Sequence, residues 1–362
     1  LGRTGRQLYH IWREGGVHTM TSEGQRGRHH RQILLPVIGP AGQERLRTGR
    51  VCVLGVGALG SQVAALLVRA GVGFLRLVDR DVVEWTNLQR QVLYEEGDVQ
   101  AGLPKAVAAA RALARIDHTV TLEPVVQDVD ASSIRALIED VDVVVDGSDN
   151  FELRYLLNDA ALDLGKPWVY GGAVGTQGTT LTIVPGESAC LRCVFPDPPP
   201  AGVAPTCDTA GVLGPVAAVI GALQASEVIK LLVGDRASLN RSLLSLDLWS
   251  LEIARIPVTR RGDCPACGRG ERAFLEAKAP SRTVQLCGRD AVQVSVYPRP
   301  ELNLEELAAR LEPLGAVQHN PYLIRFTVDG YELTVFRDGR AIVRGTTDPA
   351  VARALYARYI GM

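Results

Sequence analysis

From Arg50 onward, short apolar runs alternate with longer segments whose apolar positions recur every three or four residues. Val51–Leu54, Leu75–Asp79, Val120–Val126, Val141–Asp146 and Trp168–Gly172 read as strands. Between them, Ala58–Ala70, Pro104–Ile116, Ser132–Glu139 and Phe151–Leu164 read as helices, with Pro104 at a tolerated first-turn position. Strands that alternate with helices of this length predict a parallel, doubly wound sheet, because each crossover needs a helix to bring the chain back. After Gly172 the pattern changes. Thr176–Val184 alternates as a half-buried strand does, and the proline-rich stretch Asp197–Pro205 reads as a loop. Gly214–Val233 is apolar on nearly every side and predicts a buried helix. Ser242–Trp249 and Leu251–Val258 read as late antiparallel strands.

A second unit starts near Ala279. It reads as two strands (Thr283–Leu286 and Val292–Val296), a helix (Leu304–Leu314), three more strands and a last helix. Asn303 with Glu306 resembles a capping box, Asp348-Pro349 opens the final helix and Gly361 closes it. The expected fold class is therefore α/β: a doubly wound, mostly parallel, Rossmann-like sheet with an antiparallel extension, plus a small α+β C-terminal domain. The expected divisions are a flexible extension over 1–26, a large domain over 27–278 and the small domain over 279–362.

Composition narrows the class. The 362 residues carry 39 basic and 40 acidic side chains for a net charge of −1, and 46% are hydrophobic, which excludes a disordered chain and a nucleic-acid coat. The longest apolar run, Val212–Leu223, has 12 residues, short of the roughly 18 a membrane span needs, so no membrane partner is expected. Met20 is a candidate initiator, and the residues before Gly27 hold no apolar core for export. Seven cysteines, an odd number, without an export segment point to metal or thiol chemistry in a reducing, cytoplasmic compartment.

Gly55-Val56-Gly57-Ala58-Leu59-Gly60 follows a strand and opens a helix, so backbone N–H groups can approach phosphate at the positive helix end. Asp79 ends the next strand, where a ribose-binding acid belongs. This pattern alone leaves open a ligand-free turn, a nicotinamide dehydrogenase and an ATP enzyme. Asn87-Leu88-Gln89-Arg90-Gln91, Pro104-Lys105 and Ser148-Asp149-Asn150 favour ATP. Chemistry at an α-phosphorus needs cations to offset developing charge and a carboxylate for Mg²⁺, and Arg90, Lys105 and Asp149 have those types near strand ends. Each alone also reads as a surface arginine, a helix-start lysine or a capping aspartate.

Cys190-Leu-Arg-Cys193 and Cys264-Pro-Ala-Cys267 supply four thiolates, matching a closed, structural Zn²⁺ site rather than a catalytic one. A redox pair or buried free thiols are the competing readings. Cys207, between the proline loop and the apolar helix, is equally a nucleophile or a small hydrophobe in a loop. Cys52 reads as core, and Cys287 has no assignment.

Taken together, these residues resemble the ThiF/MoeB family of sulfur-carrier-protein adenylyltransferases, relatives of ubiquitin-activating enzymes. The resemblance runs from about Arg28 to Gly268 and includes Arg31-Gln32-Ile33, the glycine loop, Asp79-Arg80-Asp81, the Asn87–Gln91 and Pro104-Lys105 motifs, Ser148-Asp149-Asn150 with Arg154, both cysteine pairs and Cys207–Gly214. It implies that the Gly-Gly carboxylate of a small ubiquitin-like carrier attacks the α-phosphate of Mg-ATP, giving an acyl-adenylate and pyrophosphate for later thiocarboxylate formation in thiamine or molybdenum cofactor biosynthesis. It implies Gly55, Gly57 and Gly60 as the nucleotide loop, Asp79 on the ribose, Asn87, Arg90 and Lys105 on the phosphates, and Asp149 on Mg²⁺. Arg31 would be an arginine finger from the second subunit of a homodimer, and Cys207 a cysteine that can link to the carrier. The C-terminal region is not rhodanese-like, so a separate sulfur donor such as a cysteine desulfurase or rhodanese is expected. Leu286–Asp290 and Asp338–Ala341 are similar to a domain appended to some ThiF-like proteins, which favours a thiamine carrier. The competing functions are an NAD-dependent Rossmann oxidoreductase and a non-catalytic scaffold for a ubiquitin-like protein.

Overall fold

The computed structural model describes residues 27–199, 207–276, 282–286, 290–297 and 299–361. The expected extension over 1–26, most of the proline-rich stretch and Cys287 lie outside the described residues. The larger sheet is built from β1 (Arg50–Leu54), β2 (Phe74–Asp79), β3 (Thr121–Val126), β4 (Val143–Asp146), β5 (Trp168–Val174), β6 (Gln177–Ile183), β7 (Ser242–Asp247) and β8 (Glu252–Pro257). Its order is β3-β2-β1-β4-β5-β6-β7-β8. Pairings from β3 through β5 are parallel, and those from β5 through β8 are antiparallel. β3 carries Pro124, which lacks a backbone donor and is tolerated because the strand lies at the edge.

Two-residue periodicity sorts β1 onto two cores. Val51 and Val53 face α3 (Ala58–Ala70), α4 (Lys105–Ile116) and α6 (Gly214–Val233). Cys52 and Leu54 face α5 (Phe151–Leu164) and the short helix Ile134–Ile138. Both faces are covered, so the strand reads as one apolar run, as parallel strands do. Burial of Cys52 agrees with its reading as core and pushes its thiol up to about 12. β1 pairs with β2 on one side and β4 on the other, so the winding reverses between β1 and β4 and opens a crevice at the strand ends.

α6 is long and apolar enough to cross a membrane by length and composition, with a mean hydropathy of 1.8. Here it packs against α3, β5 and β6. Its buried Gln224 donates to the carbonyls of Asp146 and Val169 at 2.7 and 3.2 Å, and its Glu227 accepts from Thr182 Oγ1 at 2.8 Å. Ahead of the sheet, α1 (His30–Ile33) and α2 (Gly39–Thr48) lie against the C-terminal end of α3, with Gln32 Nε2 donating to the Ala70 carbonyl at 2.9 Å. The pattern did not announce α2, because Gly39-Pro40-Ala41-Gly42 reads as a turn; Pro40 occupies its first turn.

The C-terminal sheet holds β9 (Arg282–Leu286), β10 (Ala291–Ser295), β11 (Ala316–His319), β12 (Leu323–Val328), β13 (Tyr331–Phe336) and β14 (Ala341–Arg344). It is antiparallel throughout, in the order β11-β12-β13-β14-β10-β9. α7 (Leu304–Leu311) and α8 (Pro349–Tyr359) cover one face. Four strands follow α7 where three were expected. The additional strand, β11, is a short and largely exposed edge without apolar alternation, so the pattern carries no sign of it. α7 also stops at Leu311, short of the expected Leu314. An apolar seam of Val82 with Leu323, Phe336 and Ile342 joins this sheet to the loop after β2.

Candidate functional site

Backbone contact comes first. Gly55 has a φ of +84°, and a Cβ on it would lie 2.8 Å from Gly147 C and Ser148 N, so the turns after β1 and β4 touch. A Cβ on Gly60 would lie 1.9 Å from the Gly55 carbonyl oxygen, so α3 starts directly against the turn. Gly55, Gly57, Ala58 and Leu59 line the cavity in the crevice, whereas Gly60 serves the packing behind it. First-turn N–H groups of α3 have no intrahelical partner and suit an anion there.

Asp79 sits under this turn. Its Oδ2 accepts from Val56 N at 2.7 Å and its Oδ1 from Asp81 N at 2.8 Å. Burial pushes its carboxyl up, opposed by nearby Lys105. Lys105, at the start of α4 and 5% exposed, donates through Nζ to Asp81 Oδ2 at 3.2 Å and through its backbone N to the Asp81 carbonyl at 2.8 Å. Tyr94 fastens the loop from the other side by donating to the Val56 carbonyl at 2.6 Å.

Asn87, Arg90 and Lys105 all line the same cavity. Asn87 Oδ1 accepts from Glu84 N at 2.9 Å, while its buried Nδ2 and the buried Oε1 of Gln91 have no hydrogen-bond partner among the described residues. Buried polar atoms left open on a cavity wall are the groups a ligand can satisfy. Arg90 donates to the Thr86 carbonyl at 2.7 Å. Asp149 lines the cavity as an exposed residue, where a carboxylate could hold a hard cation.

Three further cavity residues matter. Arg154, which the sequence reading placed in a motif without a role, is buried and pairs through Nε with Asp146 Oδ2 at 3.0 Å. Its Nη2 donates to the carbonyls of Ser148 and Gly171 at 2.6 and 3.1 Å, tying the turn after β4 to β5. Arg80 was likewise read only as part of a motif, and Asp128, 3.1 Å from it as an ion pair, was missed. Their signal was positional, since Arg80 directly follows β2 and Asp128 lies two residues past β3, both at the C-terminal ends of parallel strands.

Other expected residues lie elsewhere. Arg31 is exposed on α1, at the C-terminal end of α3, whose N-terminal end lines the cavity. The 13 residues of α3 put about 20 Å between those ends, so Arg31 does not reach the cavity of its own chain. Cys207 opens the short helix Cys207–Ala210, and its side chain lies outside the described residues. Cys190, Cys193, Cys264 and Cys267 converge, with all four sulfurs within 4.8 Å of one another. Cys190–Cys264 and Cys193–Cys267 are 3.6 and 3.4 Å apart, near the roughly 3.8 Å edge of a sulfur tetrahedron with 2.3 Å metal bonds. Burial, then the neighbouring sulfurs, push the Cys190 thiol well above its ordinary value, which a dication would reverse.

The ThiF family profile matches residues 29–266. This chain belongs to the ThiF family. It is 43% identical over 338 residues to the sulfur carrier protein ThiS adenylyltransferase of Bacillus subtilis (strain 168), covering 92% of this chain and 99% of that protein. A match of that extent takes in most of the C-terminal sheet. Adenylyltransferase and sulfurtransferase MOCS3 of Sus scrofa is 44% identical over 242 residues, or 67% of this chain and 53% of that one. Among solved structures, E. coli MccB with ATP superposes with a TM-score of 0.56 at 25% identity, covering 63% of this chain and 69% of that chain.

Proposed function

We propose that this protein is an ATP-dependent adenylyltransferase acting on the C-terminal carboxylate of a ubiquitin-like sulfur carrier that ends in Gly-Gly. The observation that carries this reading is the convergence of Gly55, Gly57, Asn87, Arg90, Lys105 and Asp149 on one cavity at the β1–β4 switch point. In the reaction, a carrier carboxylate oxygen bonds to the α-phosphorus of ATP. The α–β phosphoanhydride breaks and pyrophosphate leaves with the bond's electron pair. Glycine-turn N–H groups and Asn87 hold the nucleotide, and Arg90 and Lys105 offset charge that builds on the phosphates. Asp79 takes the ribose with oxygens already anchored to backbone. Asp149 would hold Mg²⁺, which supplies charge neutralisation at the phosphates.

Family membership supports the reading, as does the chemistry of the walls, which present cationic and amide groups suited to polyphosphate. A nicotinamide oxidoreductase gives no account of Arg90, Lys105 and Asp149 together. The four-cysteine cluster fits Zn²⁺ with every coordination position filled by sulfur, so the metal's work there is to tie Leu191–Val194 to the Cys264–Cys267 knuckle. The carrier docks along the antiparallel extension, where Trp249, Leu251, Ile253 and Ile256 leave an apolar edge exposed at β8. Exposed Leu34, Leu35 and Val37 beside Arg31 suit a homodimer interface that carries Arg31 into the partner's cavity. Sulfur comes from a separate donor in the cytoplasm. Residues 27–278 make up the adenylating domain, and 279–362 the appended one.

The test is carrier-dependent ATP–pyrophosphate exchange with each Gly-Gly-ending carrier of the source genome. Asp149→Ala is expected to abolish exchange while metal content by atomic absorption stays at wild type; normal exchange in that variant overturns the assignment. Arg31→Ala mixed with Asp149→Ala is expected to regain activity in verified mixed dimers, and no regain refutes the cross-subunit arrangement.

A further inference from the structure

The C-terminal sheet holds the turn that organises the cavity. Arg340, at the β13–β14 turn and 2% exposed, lies with its guanidinium 3.6 Å from the centre of the Phe336 ring and donates through Nη2 to the backbone carbonyl of Arg80 at 2.7 Å. Arg80 is the middle residue of Asp79-Arg80-Asp81. On one side of it, Asp79 receives Val56 N and so shapes the glycine turn; on the other, Asp81 receives both Nζ and the backbone N of Lys105. The Arg80 side chain meets Asp128 at 3.1 Å, and Asp128 is gripped from the C-terminal sheet by Gln293 Nε2 at 2.7 Å.

We propose that Arg340 is a positioning residue for nucleotide binding: by fixing the Arg80 carbonyl from the C-terminal sheet, it sets the Asp79–Asp81 turn and through it the glycine turn and Lys105. Arg340 does not line the cavity, and it acts only through that turn. The physical case rests on burial and direction. A guanidinium inside an interface is costly. Among the described residues Arg340 makes one side-chain hydrogen bond, to the Arg80 carbonyl, with Asp338 Oδ2 3.9 Å from its Nε and no hydrogen-bond partner for Nε or Nη1. What satisfaction it has is therefore aimed at the main-chain carbonyl between the two residues that shape the phosphate end. An interface that merely glued two sheets together would need only the apolar seam of Val82, Leu323, Phe336 and Ile342. Tyr297 marks the contrast on the same interface: its hydroxyl donates at 2.7 Å to Oδ2 of Asp130, two residues beyond the Asp128 that pairs with Arg80.

This inference rests on the reading of the cavity as an ATP site, and the test separates the two. Calorimetric titration of Mg²⁺ and a non-hydrolysable ATP analogue onto the full-length protein needs no carrier. Arg340→Gln is expected to weaken binding roughly 10-fold, the worth of a charge-assisted buried hydrogen bond, and Arg340→Lys to recover part of that loss. Tyr297→Phe is expected to bind as wild type does. In exchange assays Arg340→Gln should raise the KM for ATP more than it lowers kcat, whereas a general folding lesion lowers kcat with the active fraction and leaves KM alone. Wild-type binding with equal affinity in folded Arg340→Gln overturns the proposal while the ATP reading stands. Equal losses in Arg340→Gln and Tyr297→Phe overturn it too, since docking as a whole is then what counts. No binding by the wild type overturns both. If Arg340→Gln does not fold, Arg340→Lys decides: weakened binding supports the positioning role, and unchanged binding refutes it.

Discussion

Two buried arginines, one in the parallel sheet and one on a helix packed against it, illustrate what separates support from site. Arg76, on β2, is 4% exposed and spends its guanidinium on protein groups: the Leu137 carbonyl at 2.7 Å, Asp140 at 2.6 Å and Glu123 at 3.0 Å. Arg50 joins the same group through Asp140 at 2.9 Å. Arg154, on α5, is as deeply buried and as fully bonded, yet it also lines a cavity whose other walls carry the unpartnered atoms of Asn87 and Gln91. The first group is electrostatically closed. The second holds its own charge so that neighbouring atoms stay open for something else. Their aspartates respond in opposite directions. Hydrogen bonds from Arg76 hold Asp140 down at about 2, since it keeps partial access to water. Asp146 is 1% exposed, and burial pushes its carboxyl up against the pull of Arg154 and the hydrogen bonds of Ser148.

That contrast is most open to attack at Arg154. Arg154→Met leaves Asp146 buried and unpaired, so a loss of about 3–5 kcal/mol in urea unfolding is expected, together with loss of pyrophosphate exchange. Retained exchange would place Arg154 with Arg76 as support alone. Lys105→Met comes next: exchange should fall roughly 100-fold, with the unfolding midpoint close to wild type because a partly open Asp81 can take water. Arg76→Met should reverse that profile, costing about 2 kcal/mol because Asp140 keeps Arg50, with nucleotide affinity of the folded protein unchanged. A change in that affinity would break the distinction between the two groups. The smallest effect is one of acidity. The folded pKa of Asp140, about 2, lies below its ordinary value near 3.9, so its contribution is complete above that value and is lost as pH falls toward 2. Wild type should therefore exceed Asp140→Asn in urea midpoint at pH 6, and the gap should shrink steadily below pH 4 and vanish only as pH falls through about 2. A gap that stays constant with pH would show that geometry, not charge, does the holding there.

Much of this was legible along the chain because it is local. Val51–Leu54, Leu75–Asp79 and Ala58–Ala70 announce themselves by periodicity, and Gly55 by the turn that only a residue without Cβ can make. Asn87, Arg90, Lys105 and Asp149 could be picked out because each follows a strand or opens a helix. The role of Arg80, named only within its motif, and Asp128 altogether escaped because their significance lies in facing each other from the ends of two strands. β11 escaped because an exposed edge strand needs no apolar alternation.

By itself, then, the sequence determined the strand–helix grammar, the phosphate-type turn and the two cysteine pairs, since each depends on backbone preference and on residues a few positions apart. Only the tertiary structure decided that the two cysteine pairs, 74 positions apart, meet in one cluster. It also decided that Arg31 lies about a helix length from its own chain's cavity, and that Arg340 reaches back across 260 positions to the carbonyl of Arg80. Those facts depend on which surfaces pack together to bury apolar area, and no local pattern encodes the direction in which a distant side chain then points.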